Sequence, residues 1–152
     1  MFERHYITPE NTYTTGGNNK VLYTPVVVIR GDDHTHVYLS GRTARLPNGE
    51  ISGKGDMRAQ IKLVCENIEI ALDSVGAVFS DVVRTTTYTT DIDEYYRCSD
   101  ERFKFFKDPL PTSTLLGVNR LGMPDMLVEI EVEAVIESHR LRLPSKQRQP
   151  VT

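Results

Sequence analysis

Cysteine and histidine are scarce in this chain of 152 residues, with two and four copies, and neither occurs at a spacing that builds a metal centre. Cys65 and Cys98 fall inside two predicted helices without a CxxC partner, so they read as buried thiols rather than as a disulfide or a metal site. His34 and His36 alternate on a predicted strand hairpin, from which they could ligate a metal, but a solvated position is the commoner reading, and His5 and His139 stand alone. A metal centre is not favoured, and redox chemistry is not implied. No apolar run approaches the length of a membrane span, and the N-terminus MFERHYITPE has no apolar signal core. Neither a membrane partner nor secretion is signalled, and the cytoplasm is the expected location.

Positive charge is also short over most of the chain. Residues 1–138 carry fourteen Lys and Arg against all twenty-one acidic residues, a formal charge of −7 within the overall −3. Nonspecific nucleic-acid affinity rests on Lys and Arg neutralising phosphates, so an acidic body argues against a nucleic-acid partner. The balance is restored by a basic tail, residues 139–152 (HRLRLPSKQRQPVT). That segment reads as disordered, with a basic docking element as the alternative.

What is present amounts to one domain, residues 1–138, with 39% hydrophobic content, enough for a sizeable core. Residues 21–29 are β-branched and apolar, Arg30 to Asp33 supply a turn, and Val37 to Ser40 resume a strand, which predicts a hairpin. Asp56 is placed to cap a helix on which Met57, Ile61, Val64, Ile68, Leu72 and Val75 recur at steps of three and four until Gly76. Residues 81–90, rich in Val, Thr and Tyr, predict a strand. A second helix, capped by Asp91 or Asp93, is expected to run to Asp108-Pro109. From Val128, strict alternation puts Val128, Ile130, Val132, Ala134 and Ile136 on one face of a strand and Glu129, Glu131 and Glu133 on the other. The order is ββαβαββ, an α+β architecture with two helices on one face of a mixed sheet. The second face would expose Leu127 and Val135 unless other subunits cover it.

Several motifs in this order carry a resemblance. Tyr38-Leu39-Ser40-Gly41, Gln60 with Asn67-Ile68, Gly76-Ala77, Asp81-Val82-Val83, Pro111-Thr112-Ser113-Thr114, Arg120-Leu121 and Val128-Glu129-Ile130-Glu131 together resemble the RidA/YjgF family of imine and enamine deaminases. The resemblance implies a trimer whose sheets face a central barrel, with ligand clefts between subunits and cofactor-free hydrolysis of a C=N bond. It implies Glu129 as the carboxylate that orients water, and Ser40 and Gly41 as a strand end that lets backbone approach the ligand. It also implies Tyr23 as an aromatic closing the cleft, and Ser99 at a position that reaches a neighbouring subunit's ligand.

One departure bears on substrate. Where the family's small 2-imino acid deaminases carry a carboxylate-gripping Arg, this chain has Ser113, followed by Thr114 and by Leu115 at a frequent Cys position. A guanidinium fork exchanged for a hydroxyl forfeits about 1.5–3 kcal/mol of charge-assisted bonding. Either Arg42 or Arg120 supplies a cation from another direction, though surface arginines paired with acids are the commoner outcome, or Ser113 and Thr114 hold a different enamine, such as a 2-aminomuconate. The expected function is therefore an enamine or imine hydrolase. A noncatalytic trimer that binds a small molecule or a partner in the same clefts is the rival.

Overall fold

Alternation in one central strand organises the domain. The computed structural model describes residues 1–13 and 22–145. Its elements are β1 (Glu3–Ile7), β2 (Val26–Arg30), β3 (His34–Arg42), α1 (Met57–Asp73), β4 (Val82–Thr89), α2 (Ile92–Arg97), β5 (Thr112–Gly117) and β6 (Val128–Glu137), with single 3-10 turns at Phe79–Asp81, Arg102–Lys104 and Ser138–Arg140. The six strands form one sheet in the order β1-β2-β3-β6-β4-β5. All neighbours are antiparallel except β4 and β5, which run parallel because the connection through α2 crosses back over the sheet. β6 therefore has a partner on each side, and its five inward-facing apolar residues are buried beneath α1.

α1 begins where Asp56 accepts a hydrogen bond from the Ala59 amide at 3.0 Å and ends at Asp73, after which the chain turns away through Gly76, whose φ of 82° is strained for any other residue. Its inner face buries Met57, Ile61, Val64, Cys65, Ile68, Ala71 and Leu72. Each large apolar side chain there contributes about 1.5–3 kcal/mol. An exposed pair such as Lys62–Glu66 on the opposite face adds about 0.3–0.5 kcal/mol, so burial sets the helix's orientation. Two polar residues interrupt that inner face. Gln60 donates to the Gly53 and Asp125 carbonyls and accepts from the Leu127 amide at 2.9 Å, which ties the entry of β6 to the helix. Asn67 donates to the Thr43 and Arg45 carbonyls at 2.9 and 3.0 Å and so fixes the segment leaving β3.

The expected ββαβαββ core is present, preceded by one more strand. β1 escaped notice because it is an edge strand whose only fully buried side chain is Ile7, leaving no period to read. The first predicted strand begins later, at Val26, and residue 21 lies outside the described residues. The second helix is much shorter than expected and stops at Arg97. Ser99 ends it, since both its amide and its hydroxyl bond the Tyr96 carbonyl, the hydroxyl at 2.8 Å. Cys98 is accordingly a helix cap rather than a helical residue, though it is buried as expected. Leu127 and Val135 are half-buried, with Leu127 packed on the core.

The expectation of a disordered tail from residue 139 needs correction as far as Arg142. Arg140 reaches back with two hydrogen bonds to the Asp81 carboxylate, at 2.7 and 2.8 Å, and the Arg142 amide bonds the Val75 carbonyl. A side chain at position 76 would strike the Arg140 backbone, so Gly76 makes room for this return. Lys146 and Arg148 lie outside the described residues.

Arg140→Ala removes a bidentate, partly buried pair and should cost about 1.5–3 kcal/mol. Arg142→Ala breaks the exposed pair with Asp73 and should cost under about 1 kcal/mol. Thermal or urea denaturation reads both. Equal and negligible losses would mean that the segment after Ser138 does not anchor the body.

Candidate functional site

A β-bulge prepares the site. Between Leu39 and Arg42, β3 advances three residues while β6 advances two, from Val132 to Ile130. Leu39 pairs with one inward residue and Arg42 with the next. Simple alternation would have put position 42 on the outer face with Ser40; the extra residue turns it inward. Arg42 is accordingly only 5% exposed. The expectation of a surface arginine paired with acids is wrong here, because a bulge that changes the parity of a strand has no signature in periodicity.

Beside the bulge lies a cavity of about 470 Å³ whose lining includes Tyr13, Tyr23, Ser40, Gly41, Arg42, Arg45, Asn67, Glu129 and Glu131. Gly41 faces Glu129 directly, for a Cβ added at 41 would stand 2.8 Å from the Glu129 Cδ. The absence of a side chain there is what allows the carboxylate into the cavity. Ser40 is held by its hydroxyl, which donates to the Thr24 carbonyl at 2.7 Å. The Arg45 guanidinium lies 3.6 Å from the centre of the Tyr13 ring, and its Nε donates to the Gly49 carbonyl.

The three glutamates of β6 have different surroundings. Glu133 pairs with Arg84 at 3.8 Å, and Glu131 accepts from the Tyr88 hydroxyl at 3.1 Å. Among the described residues, no hydrogen bond or ion pair engages the Glu129 carboxylate. Burial pushes its pKa above the ordinary glutamate value of 4.5, and the negative charge of Glu131 adds to the shift. The arrangement is a half-buried, proton-hungry carboxyl against bare backbone, suited to receiving and returning a proton. The cysteines do not belong to it; burial pushes the Cys65 thiol up to about 12.

Residues 20–136 match the family described as Endoribonuclease L-PSP. The chain belongs to this family, that of RidA and YjgF. Among its relatives is a RutC family protein of Pyrococcus abyssi, 33% identical over 66% of this chain and 79% of that one. Another is a 2-iminobutanoate/2-iminopropanoate deaminase of Dermatophagoides farinae, 29% identical over 66% of this chain and 75% of the relative. A Rid family protein of unknown function from Yersinia pestis has the same fold, with a TM-score of 0.73 and 26% identity over 88% of this chain and all of that one.

Within the chain the structure brings together Glu129, Ser40, Gly41 and Tyr23, together with Arg42. It does not bring the other expected residues to that cavity. Ser113, Thr114 and Leu115 lie on β5 at the far edge of the sheet, beyond β4. Ser99 spends its hydroxyl on its own helix end, and Arg120 is exposed in the turn between β5 and β6. Sequence reasoning missed Arg45 and Tyr13, which follow from no strand or helix pattern; Asn67, known only as part of a motif, proves to position Arg45.

The raised pKa of Glu129 has a thermodynamic consequence. A carboxyl that binds its proton more tightly when folded contributes stability that is fully present below the ordinary value of 4.5. That contribution is lost as pH rises through the higher folded value. Glu129→Gln removes the loss, so its melting temperature should gain on wild type between pH 4 and pH 7. A difference that stays constant across that range would remove the buried, ionising character assigned to Glu129.

Proposed function

We propose that this Rid protein is a cofactor-independent hydrolase of an imine or enamine, acting as a homotrimer with its clefts between subunits. The observation that carries the reading is the contrast among the three glutamates. Only Glu129 combines a place beside Gly41, a raised pKa and no partner among the described residues. In the reaction, Glu129 takes a proton from a water as its oxygen bonds to the C=N carbon. The carboxyl passes that proton to the nitrogen, giving the tetrahedral carbinolamine; it then accepts the hydroxyl proton and delivers it to the nitrogen as the C–N bond breaks, so that ammonia leaves and the oxo product remains, an enamine entering the sequence as its imine tautomer. The D. farinae relative, named as a 2-imino acid deaminase, supports this reaction class. The trimer is supported by the wide separation of β5 from the cavity, and by exposed apolar groups such as Tyr38 and Leu116 on the sheet face away from α1.

A noncatalytic binder is the second reading, favoured by the hydroxyl that stands at Ser113 in place of a guanidinium. Glu129→Gln should lower ammonia release from a competent imine by about a hundredfold, the usual scale of acid-base assistance, while Glu131→Gln and Glu133→Gln change it little. Equal losses in all three would assign the effect to general electrostatics. Absence of ammonia release from any imine or enamine by the wild type would favour the binder. Light scattering at micromolar concentration should give the mass of three chains, and a monomer would sink the intersubunit cleft.

A further inference from the structure

Arg42 is a buried cation with no anionic partner among the described residues. Its side chain makes one hydrogen bond, from a terminal guanidinium nitrogen to the Pro25 carbonyl at 3.2 Å, and its Nε is buried without a partner. None of the ion pairs among the described residues involves it. The segments outside the described residues cannot supply one from a side chain either, since 14–21 (TTGGNNKV) and 146–152 (KQRQPVT) contain no Asp or Glu. A guanidinium stays protonated in proteins, so burying one unpaired leaves a desolvation cost that a well-placed anion would offset.

We infer that Arg42 is the residue that recognises substrate, taking a carboxylate of the imine or enamine in the cavity it shares with Glu129. This rests on the functional reading above and names its substrate class: an anionic imine or enamine held from the bulge side rather than from Ser113. Arg45 is less free to do this, being committed to the Tyr13 ring and the Gly49 carbonyl. Arg42 also has the position, because Tyr23 and Ser40 line the same cavity and the Tyr23 phenol is near enough to interact with its charge. Burial pushes the Arg42 pKa down, as expected of a cation lacking a carboxylate. The separation of roles follows from the geometry. Glu129 and Arg42 line the same cavity without forming an ion pair, so a ligand can satisfy the cation with its carboxylate while presenting its C=N carbon to the carboxyl.

The probe is 2-oxobutanoate, the stable product that hydrolysis of a four-carbon 2-imino acid would leave, compared with its uncharged amide by NMR titration of the full-length protein. Wild type should bind the acid at least about thirtyfold more tightly than the amide, the scale of a buried charge pair. Arg42→Gln should abolish the preference, Arg42→Lys should retain part of it, and Arg120→Gln should leave it unchanged. A wild type without preference overturns the inference whether or not the Gln variant folds, and so does a folded Arg42→Gln that keeps the preference. Loss of preference in Arg45→Gln but not in Arg42→Gln overturns it in favour of Arg45. Glu129→Gln separates this result from the catalytic proposal, because it should still bind the acid with the same preference. If binding depends on Arg42 but no imine releases ammonia, the anion site stands and the hydrolase falls.

Discussion

The structure depends on the two-residue period of β6. Its apolar side chains must lie under α1, and a slip of one residue would bury Glu129, Glu131 and Glu133 while exposing Ile130 and Val132. Five buried apolar residues on a strand paired along both edges make that slip costly by several times the roughly 1.5–3 kcal/mol of a single side chain. Register is thereby secured, and with it the direction in which Glu129 points. The carboxyl is presented by the core rather than by a loop.

Against this regular strand, β3 is irregular where function needs it. The bulge at Ser40 and Gly41 changes the parity of the strand, turns Arg42 inward, and leaves a bare glycine opposite Glu129. As a result Glu129, with its raised pKa, and Arg42, with no carboxylate partner among the described residues, line one cavity without pairing with each other. Both are unfavourable for stability. The surrounding core supports them, with Gln60 holding the entry of β6 and Asn67 holding the exit of β3. Local cost of this kind is common at binding and catalytic sites, where a ligand supplies what the fold withholds.

Elements with strong periods were legible in the sequence. The span of α1, its Asp56 cap and Gly76 stop, the faces of β6 and the α+β class all follow from apolar spacing and capping chemistry. Elements whose limits are set by single hydrogen bonds or by a neighbour were not. β1 has one fully buried side chain and is defined by its pairing with β2. α2 looked longer because its apolar residues continue past the point where Ser99 bonds Tyr96. The chain after Ser138 looked free because its acidic partners, Asp81 and Asp73, lie more than fifty residues away.

The site divides along the same line. Sequence by itself determined that Glu129 faces away from the core, because strand alternation is local, and that Ser40, Gly41 and Glu129 form a motif set resembling a known family. Tertiary structure decided that Gly41 and Glu129 touch, that Ser113 stands on the edge strand two places from β6, and that Arg42 is buried. These facts depend on which strands are neighbours and on one extra residue between Leu39 and Arg42. Pairing and bulges are relations between distant segments, and no local period encodes them.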